Sequence, residues 1–348
     1  MKSKNKKILI LGLFIDPANP NKNIRTSSDR LAEMFHRNNI SVITSSHKSR
    51  RLSRLIDNIS AILKHKNDFA IALVPLFGTT PSFLWQKLMV TILKSLHKKI
   101  ILIVHGGSIP QQMDINPRRF LNALKRADII VCPSGYFFEY LKKYNLATIL
   151  IENVINLNKY PFQKKSKITP KLLWMRAFED VYNPQMAVRV AVQLAKKYPD
   201  FKMVMAGADL GMQNQIKQMA KQYSITDKII FPGYINMKEK LQYAKDCDIY
   251  ICTNKIDNAP VSLIEFMALG LPVVSVNTGG IPFLIKHGET GLLVEFDDDE
   301  AMAKQIENLL QDLRLAQKII CNAYNYSRKY DEPVILEKWK KVLNELNN

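Results

Sequence analysis

Strand-length apolar runs alternate with helical patterns along the first half of the sequence. The apolar runs that predict strands are residues 7–13, 40–44, 69–74, 100–104, 129–132 and 147–151. The segments whose apolar residues recur at helical spacing are 28–37, 52–64, 83–96, 118–126 and 134–144. Because strands that alternate with helices pair in parallel, this half predicts a doubly wound α/β domain.

A second series of the same kind follows residues 153–170, whose proline and lysine content is typical of a linker. It predicts strands at 171–175, 201–206, 229–231, 248–253 and 271–276. It predicts helices at 184–197, 212–223, 237–244, 260–269, 301–310, 315–326 and 333–346. The sequence therefore predicts two α/β domains, 1–160 and 161–330, and a terminal segment, 331–348.

The helix predicted at 260–269 carries signals at both ends. Pro260 suits its first turn, where a missing N–H costs nothing, and Gly270 ends it. The helix lies between two predicted buried strands, so it begins at the carboxyl edge of a parallel sheet, where ligands bind. We expect the free N–H groups of its first turn to bind a phosphate. The donors of that turn are Val261, Ser262 and Leu263.

Two carboxylates, Asp257 and Glu265, flank the start of this helix with seven residues between them. Asp257, in the loop, is expected beside whatever extends beyond the phosphate, and Glu265 beside a different part of the same ligand. A nucleotide sugar fits, because it has hydroxyl groups on the ribose and on the sugar at either side of a diphosphate. The alternative is that Asp257 and Asn258 cap the helix and Glu265 lies on a solvated face.

This stretch resembles the signature of the retaining glycosyltransferases of family 4, which have the GT-B fold. That signature is Glu, seven residues, Glu, then Ala-x-Gly-x-Pro-Val-Val and a Gly-Gly pair. Asp257 stands at the first Glu, and Ala259-Pro260-Val261 replaces the family's Gly-Phe-Gly. The matching positions are Glu265, Ala268, Gly270, Pro272, Val273, Val274, Gly279 and Gly280. The resemblance implies two Rossmann-like, doubly wound parallel-sheet domains with an inter-domain cleft, and a last helix that crosses back to the first domain.

The resemblance also implies contacts to the donor diphosphate. Arg176, after a predicted strand, corresponds to the family Arg that grips the phosphates, although it could form a surface pair with Glu179 or Asp180 instead. Asn183 stands where the family has a Lys, and Asn258 lies in the loop beside the phosphate. Phosphate neutralisation is therefore expected from Arg176 and the helix N-terminus.

Other family positions correspond to the two ends of the donor. Gly233, Tyr234 and Ile235 resemble the segment that holds the nucleotide base, although turn and core packing explains them nearly as well. His105, followed by two glycines after a predicted strand, resembles a His beside the transferred sugar; a structural role is the alternative. Glu265 would hold the ribose.

Two parts of the family pattern are poorly kept. The glycine-rich loop after the first strand retains Gly12, but residues 14–25 are rich in Pro and Asn, with Lys22 and Arg25 as further candidate phosphate cations. Phe283 replaces a Glu that often follows the Gly-Gly pair.

The implied reaction is sugar transfer with retention, in which Asp257 and His105 position the sugar and no side chain is an obligate nucleophile. GT-B enzymes need no bound metal, and we expect no cofactor, only a donor such as a UDP- or GDP-sugar. Consistently, six histidines and four cysteines form no set with metal-ligand spacing. The cysteines, at 132, 247, 252 and 321, are predicted to be buried thiols.

The basic charge lies mainly in the first half. Residues 1–160 hold 25 Lys and Arg against 9 Asp and Glu, whereas residues 161–348 hold 25 against 22. Basic clusters interleaved with apolar residues suit an anionic membrane better than nucleic acid, and a merely solvated basic face is the alternative. No apolar run reaches membrane-span length, and no signal-cleavage site follows the basic start. We expect a cytoplasmic protein that could attach to the inner face of the plasma membrane.

The leading hypothesis is a glycosyltransferase that moves a sugar from a nucleotide sugar to a hydroxyl of a glycan or lipid-linked acceptor in cell-surface polysaccharide biosynthesis. Two alternatives stay open: a non-catalytic GT-B protein that binds a nucleotide or glycan for a partner enzyme, and a nucleotide-sugar epimerase. Binding of nucleic acid is not expected, since the sequence has no motif of the known modules.

Overall fold

The computed structural model describes residues 6–16, 26–78, 80–107 and 109–347. The chain divides into two compact units. The first consists of Met1–Ile155 and Tyr330–Asn348, and the second of Asn156–Lys329. Both units are doubly wound parallel α/β structures, so this part of the prediction is confirmed.

The first unit alternates strands and helices through its main segment. Its elements are β1 (Lys7–Ile10), α1 (Ser27–Arg37), β2 (Val42–Thr44), α2 (Arg51–Lys64), β3 (Phe69–Leu76), α3 (Thr80–Ser95), β4 (Lys99–Val104), α4 (Ile109–Ile115), α5 (Pro117–Leu124), β5 (Ile129–Cys132), α6 (Gly135–Lys142) and β6 (Thr148–Leu150). The sheet order is β2-β1-β3-β4-β5-β6, with every neighbouring pair parallel. The order reverses between β1 and β3.

The second unit repeats the alternation. Its elements are β7 (Lys171–Met175), α7 (Pro184–Lys197), β8 (Lys202–Ala206), α8 (Gln213–Gln222), β9 (Ile229–Gly233), α9 (Met237–Asp246), β10 (Ile249–Cys252), α10 (Val261–Leu269), β11 (Val273–Val276), β12 (Leu292–Val294), α11 (Asp299–Gln311) and α12 (Leu313–Ser327). The sheet order is β12-β11-β10-β7-β8-β9, again parallel throughout. Its reversal lies between β7 and β10.

A last helix, α13 (Glu332–Asn347), belongs to the first unit. Side chains alternate across a strand, so Ile8 and Ile10 of β1 face the α13 side of the sheet while Leu9 faces the opposite side. On the α13 side, Phe35 and Trp339 pack edge to face with ring centroids 5.7 Å apart. Residues from α13 are therefore part of the core of the first unit.

The sequence prediction was wrong at three points. Helix α4 was missed because it has too few residues to show a clear helical period, whereas the helix expected at 118–126 is α5. β12 was missed because it has only three residues. Residues 153–170 are not a free linker: the backbone N–H of Gln163 donates to the Leu269 carbonyl at 3.1 Å, and Lys165 is buried.

Lys165 has a definite structural role. Its Nζ donates to the carbonyl oxygens of Lys245 at 2.9 Å and Cys247 at 2.7 Å, at the end of α9, and lies 3.1 Å from Asp248 Oδ1. A lysine at this position neutralises the negative end of the helix. Cys321 is exposed, so the expectation of four buried thiols holds only for the other three.

Candidate functional site

The ends of β7 and β10 meet where the sheet order of the second unit reverses, which is the usual ligand position in an open α/β sheet. Arg176 follows β7 directly, and Asp257 lies in the loop after β10. Arg176 Nη2 donates to Asp257 Oδ2 at 3.0 Å, and Asn254 Nδ2 donates to the same oxygen at 2.8 Å. The prediction that both residues belong to one site is compatible with this contact, and the alternative of a surface partner for Arg176 is wrong.

The electrostatics of this pair reflect burial and mutual attraction. Burial opposes the charge on Arg176, but the Asp257 carboxylate together with the nearby Tyr250, Cys252 and Tyr182 outweighs that effect and raises the guanidinium pKa above its ordinary value. Burial raises the pKa of Asp257, while the attraction of Arg176 acts in the opposite direction. The 3.0 Å contact between Arg176 Nη2 and Asp257 Oδ2 favours the charged form of each group.

Two polar atoms of this cluster have unused hydrogen-bonding capacity. Within the described parts of the chain, Arg176 Nε and Asn254 Oδ1 are buried and have no hydrogen-bond partner. A buried polar group without a partner costs about 1–3 kcal/mol, so native proteins rarely leave one unless a ligand or water completes it. The cluster therefore offers a donor and an acceptor to a polar ligand.

Two glycines hold the loop that carries Asp257. The backbone N–H of Gly280 donates to the Asp257 carbonyl at 2.8 Å. A Cβ at Gly280 would lie 1.7 Å from the Asn258 carbonyl oxygen, and one at Gly279, which has φ +55°, would lie 2.3 Å from that of Asp257. The Gly-Gly pair is required because the two loops touch backbone to backbone.

Helix α10 begins without a side-chain cap. Pro260 is its N-cap residue, so the alternative that Asp257 and Asn258 cap the helix is wrong. The N–H of Leu263 donates to the Pro260 carbonyl at 3.1 Å and is not free for a phosphate, contrary to expectation. Ser262 Oγ accepts a 3.0 Å hydrogen bond from the Tyr250 hydroxyl, so the backbone N–H groups of Val261 and Ser262 are the candidate phosphate donors.

Glu265 is buried inside the second unit, so the alternative of a solvated face is wrong. Its Oε1 accepts a 2.6 Å hydrogen bond from the Tyr160 hydroxyl, and its Oε2 lies 2.7 Å from Lys240 Nζ. Sequence reasoning missed both partners. Tyr160 lies in the presumed linker, and no pattern around Lys240 points to a carboxylate 25 residues away.

The other predicted donor contacts divide into exposed and structural residues. Tyr234 is exposed. Gly233, the last residue of β9, has a φ of +79°, which favours glycine. Ile235 is buried. Asn183 adopts φ +46° as the N-cap of α7, where its Oδ1 accepts from Met186 N at 3.3 Å and its Nδ2 donates to Asp297 at 3.0 Å. Its side chain therefore holds the helix and a neighbouring loop together.

His105 belongs to the first unit, directly after β4. Its backbone N–H donates to the Leu76 carbonyl at 2.9 Å, and its ring stacks on Phe77 with centroids 5.8 Å apart. Burial lowers the pKa of His105 to about 4. The imidazole is therefore neutral near pH 7, and one ring nitrogen can accept a proton or a hydrogen bond.

A cavity of about 250 Å³ lies at the reversal point of the first sheet, beside the ends of β1 and β3. Its walls are mostly apolar, and α2 and α3 form two of them through Leu55, Asn58, Trp85 and Met89. Lys22 and Arg25, the further candidate cations, lie outside the described residues.

Residues 158–326 match the family model described as Glycosyl transferases group 1. This region of the chain is similar to the group 1 glycosyl transferases. An uncharacterized glycosyltransferase from Haemophilus influenzae is 32% identical over 151 residues, which cover 43% of this chain and 42% of that protein. This group 1 region contains Arg176, Asp257 and Glu265.

A second relative is the GalNAc-alpha-(1->4)-GalNAc-alpha-(1->3)-diNAcBac-PP-undecaprenol alpha-1,4-N-acetyl-D-galactosaminyltransferase of Campylobacter jejuni. It is 29% identical over 168 residues, which cover 48% of this chain and 45% of that enzyme. The matches thus span less than half the length of these curated relatives. The crystal structure of Anabaena HepE in complex with UDP and glucose superposes with a TM-score of 0.73 at 17% identity, covering 98% of this chain and 100% of HepE. This likeness confirms the predicted GT-B fold.

Proposed function

We propose that this protein is a group 1 glycosyl transferase that moves a sugar, with retention, from a nucleotide sugar to a hydroxyl of a glycan or lipid-linked acceptor in cell-surface polysaccharide biosynthesis. The observation that carries the proposal is the Arg176–Asp257–Asn254 cluster at the reversal point of the second sheet, with its unused buried donor. A buried cation with a free N–H, close to a helix N-terminus in the same loop system, suits a diphosphate. HepE, which has the same fold, was crystallised with UDP, and the acceptor named for the Campylobacter jejuni enzyme is linked to undecaprenol.

In the proposed reaction the bond between the sugar C1 and the diphosphate oxygen breaks, and the acceptor hydroxyl attacks C1 from the same face. Arg176 and the first N–H groups of α10 stabilise the charge that develops on the leaving diphosphate. The departing diphosphate accepts the proton of the acceptor hydroxyl. Asp257 positions the sugar, and Glu265 holds the ribose. No metal takes part, so we expect EDTA to leave the transfer rate unchanged.

A thermal-shift and calorimetric screen against UDP, GDP and their common sugars tests the donor class. A nucleotide at about 100 times its Kd adds about 2.7 kcal/mol of stability. We expect one nucleotide to stabilise the wild type and to lose most of that effect in Arg176→Lys. The matched control is Lys286→Ala, an exposed site in the same unit. If no nucleotide stabilises the wild type, the proposal is wrong.

A binding-only role is a second candidate, because Asn183 stands in place of the expected phosphate-binding Lys and is occupied as a helix cap. Arg176 would then neutralise the phosphate charge without the second cation, the Lys, that the family has at this position. Donor hydrolysis distinguishes the two candidates. A transferase slowly hydrolyses its nucleotide sugar when no acceptor is present, whereas a binding protein releases it intact. An epimerase would instead return a changed nucleotide sugar, detectable by chromatography.

A further inference from the structure

Helix α2 exposes an apolar stripe. Leu52, Ile56 and Leu63 are 65%, 59% and 51% exposed, and their spacing of four and seven residues places them on one face of the helix. The adjoining edge of the same apolar face packs into the core of the first unit through Leu55, Ile59 and Ile62. An apolar residue is expected where a surface helix meets the core, but Leu52, Ile56 and Leu63 lie outside that contact, since each is more than half exposed.

The neighbouring helix α3 extends this surface. Leu84 and Leu88, one turn apart, are exposed, while Phe83 and Met89 on its inner side are buried. Helices α2 and α3 contact each other and cover the same side of the sheet. We call the exposed residues Leu52, Ile56, Leu63, Leu84 and Leu88 the α2–α3 face.

Positive charge surrounds the α2–α3 face. Residues 48–66 contain six Lys and Arg and one Asp, and residues 80–99 contain four Lys and no acidic residue. Lys48 pairs with that Asp, Asp57, at 2.9 Å, whereas Arg50, Arg51 and Lys64 are exposed. The surroundings of the apolar stripe are therefore basic, most strongly on α2, since Lys94 of α3 pairs with Asp128 at 3.0 Å.

We propose that the α2–α3 face docks on an anionic lipid bilayer. Leucine and isoleucine side chains on an interfacial helix enter the boundary between headgroups and acyl chains, and flanking Lys and Arg bind anionic headgroups. A second copy of the chain is disfavoured as the occupant because two such basic surfaces repel each other, and nucleic acid does not require five exposed aliphatic side chains. The proposal goes beyond sugar transfer and does not depend on it.

Helices α2 and α3 also form two walls of the apolar cavity of the first unit, so docking at this face would bring that cavity close to the bilayer. An acceptor that carries a lipid would then meet the protein without leaving the membrane. This consequence rests on the proposed transferase function, whereas the docking itself is tested without catalysis.

The test is co-sedimentation of the full chain with vesicles of phosphatidylglycerol and phosphatidylcholine, and with vesicles of phosphatidylcholine alone. We expect binding to the anionic vesicles only, weakened by salt, and at least about tenfold weaker for the L52S/I56S/L63S variant. The matched control replaces three exposed apolar residues elsewhere, L210S/L313S/V334S, and should bind like the wild type. R51E/K64E should also lower anionic binding.

Thermal unfolding and the nucleotide-induced thermal shift confirm that each variant is folded and keep this test separate from the donor screen. The proposal is overturned if the wild type does not bind anionic vesicles at low salt, or if L52S/I56S/L63S binds them as well as its control does. It is also overturned if the wild type binds phosphatidylcholine vesicles as strongly as anionic ones. Self-association that the same variant abolishes, without vesicle binding, would overturn it in favour of a dimer.

Discussion

Arg176 and Asp257 lie 81 positions apart in the chain, yet their side chains meet at 3.0 Å where β7 and β10 end side by side. Each is the other's charge partner in a mostly buried site. Loss of one member therefore has two effects, on the fold and on the ligand, that a suitable set of variants can separate.

We expect Arg176→Ala to lower the free energy of unfolding by about 3–5 kcal/mol, because it leaves the Asp257 carboxylate buried without its cation. The double variant R176A/D257A should recover much of that stability and still fail to bind nucleotide. Urea unfolding and calorimetry measure the two quantities. Equal instability of the single and double variants would show that the two charges are not coupled.

Glu265 should be sensitive to the loss of its charge. We expect Glu265→Ala to cost about 3–5 kcal/mol, because Lys240 is left without its buried partner. Tyr160→Phe, which removes one hydrogen bond to the same carboxylate, should cost only about 1–2 kcal/mol. Urea unfolding curves measure both. A Glu265→Ala variant as stable as the wild type would contradict the burial of this pair.

Gly280→Ala should displace the loop that carries Asp257. Its φ of −89° suits alanine, so the whole effect comes from a Cβ placed 1.7 Å from the Asn258 carbonyl oxygen. We expect weaker nucleotide binding and a loss of more than about 2 kcal/mol of stability.

The control for this prediction is Gly211→Ala. Gly211 has φ +108° with no atom near the added Cβ, so only backbone strain of about 1–2 kcal/mol applies, and nucleotide binding should be unaffected. If both variants bind nucleotide equally well, contact between the two loops does not position the site.

His105 should make stability depend on pH. Its native pKa of about 4 lies below the ordinary 6.5 of an unfolded histidine, so only the unfolded chain takes up this proton between those values. The contribution of His105 is unchanged above pH 6.5 and is lost as pH falls toward 4, by up to about 1.4 kcal/mol per pH unit. His105→Asn should flatten this part of the pH profile of unfolding, and an unchanged slope would contradict the shift.

The strand ends that carry the site could be predicted from sequence, whereas the side-chain pairs could not. Arg176 follows an apolar strand and Asp257 precedes a helix with a proline start, and both are local signals. Their contact depends on β10 lying next to β7, and the local periodicity of a sequence does not predict the order of strands in a sheet. Tyr160 was missed because a short segment with proline and lysines looks like a linker even when it packs on a domain.

Asn183 illustrates a different limit of sequence reasoning. Counting along the loop placed it at a phosphate-binding position, but an Asn before a Pro at a helix start is also a typical N-cap, and the structure uses it that way. Local capping preferences were the better guide there. The helix boundaries were otherwise within a few residues of the prediction, because capping and proline signals are local.

The position of α13 at the end of the chain affects how the protein folds during translation. Its Ile335, Leu336 and Trp339 complete the core of the first unit, yet they are made after all of Asn156–Lys329. Domains generally fold as units during synthesis, so the second unit can fold on the ribosome before the first is complete. Until then, the first unit still exposes the apolar face that α13 will cover. The unit translated first is thus the last to mature, and ribosome-associated chaperones should bind that uncovered face of nascent chains stalled before residue 330.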